Sequence, residues 1–564
     1  MNLLFFAVLI NFLIATASAV VPNDYFHSNE TQIDHHECTK DVDDVTHCTF
    51  NDVTDPMEFL IQLRGNYQNH SNIKKLKFVD SFLDFIPKEI YIFYTNLESI
   101  DISHINLARL ESYDFVTNQL VMINASNNQL KQLGPRIVAK SAKLQSLDLS
   151  HNEITRINPS TFVFNSNFKY LNLSHNQITR LDFKFIEPIR TLEVFHMENN
   201  KLQEITGDFS VVQLHWNELY LNANKLKTLD EQFVQSISVL HVSHNDITEA
   251  KFHNTEITDL EINDNNLTIL TVNKKLKKLS AAGNSKHPFN LSLEDNSSMK
   301  YLDLRSTSLG SIDDLQKHLK NLKDLKYLDL SSLDFDFNEE TFKGLDQLET
   351  LKIAYHSQHL REIPKNVFKP LKMLTHLDIS NGYFLEVDLK YFDNLKNLKT
   401  LDMNFCWCRK LLGWQNISKL LPSLAEINIF RNRFDCSETR RVIEEFKRVG
   451  ITMIDMDVHG EDKYIKSSCK HPEDDDFTES LASNDKQSSW ITNNDSDESS
   501  NSEDEANNVD FWFKPTGMQR VNCFLATVNK HQERETKLKA SKERYIESEK
   551  ERQTEIENQR PRFF

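Results

Sequence analysis

Glycine is scarce in this chain, eleven in 564 residues. Loops that cradle phosphates need glycine for close backbone approach, and none is present. Nor is there a G-x-S-x-G or H-E-x-x-H pattern. The Asp34-His35-His36 run lacks the helical spacing that sets two histidines on one metal. With no nucleophile, metal or cofactor motif, the sequence points away from an enzyme and implies no cofactor. A basic surplus is also missing: 65 Lys and Arg stand against 83 Asp and Glu, a net charge of −18. Nucleic acid and anionic membranes both require a basic surface, so neither is an expected partner. No apolar run after the N-terminus approaches twenty residues, and Gln559 to Phe564 is too polar for a lipid-anchor signal, so no transmembrane anchor is expected. Cysteine is absent between Cys48 and Cys406, so whatever fills that interval must hold together without disulfides.

At the N-terminus, Asn2 precedes an apolar core from Leu3 to Ile14, and Ala17-Ser18-Ala19 has the small-x-small spacing that signal peptidase accepts. This predicts a signal peptide over 1–19 and a secreted, extracellular chain. The core is too short to span a bilayer. Nine N-x-S/T sequons fit that compartment: Asn29, Asn69, Asn124, Asn172, Asn266, Asn290, Asn296, Asn416 and Asn494.

The body of the chain repeats itself. "KLQSLDLSHNEITRI" from Lys143 returns 24 residues later as "NFKYLNLSHNQITRL" from Asn167. The shared frame is L-x-x-L-x-L-x-x-N-x-L, the leucine-rich repeat. Anchored on the second apolar position, sixteen copies follow one another: Leu76, Ile100, Ile123, Leu147, Leu171, Phe195, Leu219, Leu240, Leu260, Leu279, Leu302, Leu328, Leu351, Leu377, Leu401 and Ile427. The L-x-L core predicts a short strand with alternate residues facing inward. Five residues past the anchor stand Asn128, Asn152, Asn176, Asn200, Asn224, Asn245, Asn265 and Asn284 without a gap. An amide donates and accepts, so stacked asparagines can satisfy backbone groups where strand turns into loop. Phe162, Phe233, Phe342, Phe368 and Phe392 recur in the second half of the repeat and predict a ring stack along the convex side. Between Leu302 and Leu401 the asparagine gives way to Thr307, Leu333, His356, Gly382 and Cys406, so the turn must be satisfied differently there. The expected architecture is an α/β solenoid, a horseshoe of about sixteen repeats over 73–451, with a concave sheet roughly 75 Å long at about 4.8 Å per strand.

A solenoid exposes an apolar cross-section at each end, and stapled caps are one way to cover it. Cys38 and Cys48 predict a disulfide in an N-terminal cap over 20–72. Cys406, Cys408, Cys436 and Cys469 resemble the four-cysteine C-terminal cap of extracellular leucine-rich-repeat proteins, here placed over 452–470. That resemblance implies either 406–469 with 408–436, or 406–436 with 408–469. The departure is a further repeat, "LAEINIFRNRF" from Leu424, inside the cysteine set. Residues 471–510 are acidic and rich in Ser and Asn and predict a disordered linker. Residues 511–564 predict a charged helix, either a short coiled coil or solitary, with Cys523 the candidate for an interchain disulfide and hence a dimer.

Outward strand positions supply the large accessible surface. Asp303, Asp329, Asp378 and Asp402, with Tyr301 and Tyr327, make the candidate binding face, a mostly acidic groove suited to a basic protein or peptide. Asn124 and Asn172 fall on the same face, where glycans would obstruct its N-terminal half. The order of signal, repeats, cysteine cluster, Cys523 and charged helix resembles the secreted leucine-rich immune proteins of mosquitoes. The resemblance implies innate-immune recognition in the haemolymph, disulfide-linked pairing with another leucine-rich-repeat chain, and capture of a complement-like thioester protein. The short coil and the acidic insert depart from that plan. The alternative is an extracellular matrix or signalling modulator built like the ectodomain of a leucine-rich-repeat receptor.

Overall fold

The computed structural model describes residues 36–469, apart from 41–45, 57–58, 60–70, 164–166, 210–215, 294–297, 311, 334–336 and 356–361. All of them belong to one unit, 1–479. The signal segment, the acidic run after His471, the C-terminal helix, Cys523, and the sequons at Asn29, Asn69, Asn296 and Asn494 lie outside the described residues.

Each repeat contributes a short strand, and all sixteen anchors fall in one column. Leu76 pairs with Ile100, then Ile123, Leu147, Leu171, Phe195, Leu219 and Leu240. The column continues through Leu260, Leu279, Leu302, Leu328, Leu351, Leu377, Leu401 and Ile427. Every anchor is at most 2% exposed. The column runs one strand further at each end, to Cys48 and to Met453. Among the described residues the strand pairings are parallel except the first, where His36–Lys40 runs antiparallel to Thr46–Asn51. The solenoid sheet is thus built from one coil repeated, with the apolar positions of each coil buried against the next.

The asparagines line up as the register demands. In all eight, Nδ2 donates to the carbonyl two past the preceding anchor, at 2.8–3.1 Å. In all eight, Oδ1 accepts a backbone N–H of the preceding repeat, at 2.9–3.4 Å. The residue just before each slot has a positive φ in all sixteen repeats, from 49° at Asp80 to 72° at Gly283. That left-handed step is what turns the strand into the loop, and Asn, Asp and His tolerate it better than most L-residues.

Past Leu302 the ladder is rebuilt from other donors. Thr307 donates to Leu304 within its own repeat, at 2.7 Å. The Cys406 thiol donates to Ile379 O at 3.1 Å, taking over the donor role of the missing amide. The asparagine then returns at Asn432, which donates to Met403 O and accepts from Cys408 N–H. On the far side, Phe342, Phe368 and Phe392 stack at 6.3 and 5.5 Å between centroids, and Phe162 and Phe233 are buried among other rings.

At the N-terminal end Cys48 is buried and disulfide-bonded, and stands opposite Cys38 in the antiparallel register. At the C-terminal end, helix Cys436–Arg448 is capped by Asp435, whose carboxylate accepts from Ser437 and Glu438 N–H. It buries Thr439, Val442, Ile443 and Phe446 over the last repeat. Tyr464, on helix Glu461–Ser468, accepts from Ile429 N–H at 3.1 Å and so ties the cap to the final coil. The cysteine pairing differs from both expected patterns. Cys436 bonds to Cys469, and Cys406 and Cys408 are free, buried thiols. The reason lies in the repeat geometry: Cys406 sits in the ladder slot inside the core, and the Cys408 thiol donates to Lys410 O at 3.0 Å. Burial raises both thiol pKa values, Cys408 up to about 12, so neither is a reactive thiolate.

Candidate functional site

Backbone accounting shows which side chains on the sheet face serve the fold and which do not. The N–H two past an anchor bonds to the next repeat, as Ile102 does to Asn124 O, and so does the N–H four past, as His104 does to Ser126 O. The N–H between them, three past the anchor, has no ladder partner and must be satisfied by a side chain. In nine repeats an Asp or Asn one past the anchor accepts it: Asp101, Asn124, Asp148, Asn172, Asp303, Asp329, Asp378, Asp402 and Asn428. The acidic column read from the sequence as a binding groove is therefore largely a structural device, for which aspartate and asparagine serve equally.

Two of the expected binding residues are corrected by this. Asp303 and Asp329 are 1% and 2% exposed and do not present an open carboxylate. One oxygen of each is spent on the backbone. The other lies 3.4 Å from Arg305 Nη2 in Asp303 and accepts from the Tyr327 hydroxyl at 3.3 Å in Asp329. Burial raises the Asp303 pKa, opposed by the Arg305 N–H and its charge. Asp378 and Asp402 remain half-buried at the face. Burial pushes Asp402 up to about 6, with the neighbouring Asp378 charge adding to it and the Asn404 N–H opposing. Tyr301 and Tyr327 do come together as expected, stacked at 4.3 Å with planes 5° apart. Lys278 and Lys352 sit 5.9 Å from their respective ring centroids.

The informative positions are those the fold leaves free. At His241, Glu261 and Ser280 the side chain one past the anchor does not cap its own turn. Instead Asn222, Ser243 and Asn263 of the preceding repeats accept the spare N–H of the next. From Phe195 to Leu279 the place one past the anchor holds His196, Tyr220, His241, Glu261 and Ser280, and the first three of these carry rings. His196 stacks on Tyr220 at 4.4 Å with planes 2° apart, Tyr170 lies 5.5 Å from His196, and His241 meets Tyr220 edge-on at 5.0 Å. Carboxylates flank the row: Glu198 3.1 Å from His196, Glu218 2.7 Å from the Tyr220 hydroxyl, and Asp259 and Glu261 beside His241. Lys278 closes the row, 2.6 Å from Glu261 and 3.3 Å from Asp259. Burial alone would lower its pKa, but the two carboxylates raise it overall. Asp259 moves the other way: burial would raise it, yet His241 and Lys278 hold it below its ordinary value. His241, Asp259 and Glu261 are close enough to ligate a metal, but the Lys278 ammonium lies against both carboxylates and offsets one of their two charges.

Strand alternation alone turns these side chains outward together with the capping aspartates and does not separate the two sets. The signal that does so is present, since Asp and Asn are lost one past the anchor from Phe195 to Leu279, but its meaning depends on knowing which N–H needs a partner. Asn124 and Asn172 lie on the same face, half-buried, with Oδ1 committed to Ser126 and Ser174 N–H; Asn124 is upstream of the ring row, whereas Asn172 shares the strand of Tyr170 and stands in register with His196. Asn290 and Asn416 are exposed, and Asn266 donates to Asp246 at 3.2 Å.

Comparison with known proteins agrees with this geometry. The family model described as "Leucine rich repeat" matches residues 142–202, and that of the "BspA type Leucine rich repeat region (6 copies)" matches 289–406. The chain has the leucine-rich-repeat solenoid fold. No curated protein sequence matches it. Among solved structures, a chain of the Toll–Spatzle complex, described as a hub in Drosophila development and innate immunity, is similar at 18% identity and TM-score 0.55. The likeness covers 69% of this chain and 57% of that one. The TLR13–ssRNA13 complex is similar at 18% identity and TM-score 0.50, over 73% of this chain and 62% of that one. This leucine-rich-repeat chain therefore spans less than two thirds of either. The APL1 leucine-rich-repeat domain matches at 17% identity over 72% of this chain and 92% of that one, with a TM-score of 0.44. At these identities the likeness is one of fold. Among the described residues, no helix is long and apolar enough to cross a membrane.

Proposed function

We propose that this leucine-rich-repeat protein is a secreted, non-catalytic binding scaffold whose sheet face captures a basic segment of a protein partner. The observation that carries the reading is the Tyr170, His196, Tyr220 and His241 row, a set of rings placed where the fold requires none, flanked by Glu198, Glu218, Asp259 and Glu261. Aromatic faces bounded by carboxylates suit arginine and lysine through cation–π attraction and charge-assisted hydrogen bonds. The stacked Tyr301–Tyr327 pair extends the aromatic surface two repeats beyond Lys278. Sequons at Asn124 and Asn172 bias capture toward this later stretch.

The signal segment supports secretion, and the disulfide-bonded Cys48 and Cys436–Cys469 suit an oxidising compartment. Innate-immune recognition is the role we favour, with a complement-like thioester protein or a second leucine-rich-repeat chain as partner and Cys523 as the residue linking two chains. The test is affinity capture from the extracellular fluid of the source organism, comparing the wild-type chain with Tyr220→Ala/His241→Ala. The partner retained by wild type should bind the variant roughly tenfold more weakly, while Asp101→Asn, which keeps its turn-capping oxygen, should bind as wild type does. Equal capture by the ring variant would remove the site from this stretch of the sheet.

A further inference from the structure

A second surface stands apart from the sheet face, along the edge where the turns leave the last strands. The residue four past the anchor is left-handed in every repeat, and small or polar side chains fill that place from Asp80 to Ser332. Beyond it the choice changes to Tyr355, φ 55°, and Phe405, φ 53°, and a further left-handed ring, Trp407 at φ 56°, follows two residues after Phe405. A left-handed L-residue costs roughly 1–2 kcal/mol, and Asn381, in the same column between Tyr355 and Phe405, shows that an amide suffices for the turn. Folding therefore does not explain these rings. Tyr355 is 60% and Trp407 46% exposed. Trp407 stacks on Tyr383 at 6.3 Å, the Arg433 guanidinium lies 3.9 Å from the Trp407 ring centre, and that of Arg431 lies 4.8 Å from the Phe405 ring centre. A guanidinium over a ring presents a planar fork shaped for carboxylates, so this edge is aromatic and cationic in a chain of net charge −18.

The chain passes beside this edge at the end of its described part. Cys469 forms a bridge with Phe434, the neighbour of Arg433, and Phe434 N–H donates to Ser468 O. Four residues later the sequence reads Glu473-Asp474-Asp475-Asp476-Phe477. We propose that this run is the occupant of the edge, its carboxylates meeting Arg431 and Arg433 and its phenyl ring meeting the exposed aromatics. The reach is sufficient. Seven extended residues from Cys469 span at most about 25 Å, while the Arg433 coil lies three strand spacings, about 15 Å, from the Tyr355 coil. Tethering on so short a linker supplies an effective concentration in the millimolar range, so contacts too weak to join separate molecules hold here. The inference does not depend on the sheet-face reading.

Hydroxyl-radical footprinting of the full chain, read residue by residue by mass spectrometry, tests it. The variant Asp474→Lys/Asp475→Lys/Asp476→Lys lies outside the repeats and should leave them folded. Labelling at Trp407 and Tyr355 should rise about threefold in the variant, and also in wild type at 1 M salt, where charges are screened beyond about 3 Å. Labelling at Tyr220 should not change in either. Adding Arg431→Glu/Arg433→Glu to the lysine variant should restore protection. Equal labelling of wild type and variant, as expected if the edge belongs to a separate partner or a second copy, overturns the proposal, and so does a charge swap that fails to restore protection.

Discussion

A ladder asparagine closes several backbone groups at once. Asn200 donates to Leu173 O and Met197 O and accepts from Ile178 N–H, all within the core. Asn200→Ala leaves these groups unsatisfied and should cost about 3 kcal/mol, since each buried orphan costs about 1–3 kcal/mol. Chemical denaturation would measure it, and a loss below about 0.5 kcal/mol, the range of an ordinary surface substitution, would deny the ladder its structural role. Asp402 poses a different question. Its pKa is raised to about 6, so burial penalises the ionised form, and that penalty is present above pH 6 and relieved as pH falls toward 4. Asp402→Asn keeps the oxygen that accepts from Asn404 N–H and discards the charge. It should therefore melt about 2–4 °C above wild type at pH 7.5, with the gap closing by about pH 4 as wild type takes up its proton.

Among the elements, the C-terminal closure depends most on covalent chemistry. Helix Cys436–Arg448 and helix Glu461–Ser468 cover the last coil and are joined by the Cys436–Cys469 bond across a sequence separation of 33. Cys436→Ser should lower stability by about 3–4 kcal/mol on the loop-entropy account. Because each coil touches only its neighbours, the loss should stay local. Hydrogen exchange should quicken over helix Glu461–Ser468 and strand Thr452–Met453, while strands before Leu401 keep wild-type protection. Fast exchange throughout the repeats would show instead that the solenoid melts as one unit. The expected 406 and 408 pairings missed this arrangement because the C-x-C falls inside a coil. There the ladder needs a buried donor at 406, and burial withdraws both thiols from the end of the stack.

At the scale of the molecule, the chain's negative charge is unevenly meaningful. The capping aspartates are part of the scaffold, whereas Glu198, Glu218, Asp259 and Glu261 surround a row of rings that the scaffold does not need. Recognition carried by such a row should weaken with salt more than recognition through apolar burial would, and capture at two ionic strengths reads that directly. The repeat, its sixteen anchors, the asparagine column and the buried phenylalanine stack were all legible from spacing alone. They are one-dimensional facts, and a solenoid converts sequence period into spatial register without further choice. Which outward side chains were free to bind, which carboxylates were buried, and which cysteines met depended on partners contributed by neighbouring coils some twenty residues away. Those partners depend on where each backbone N–H finds its acceptor, and that is settled only when the coils are stacked.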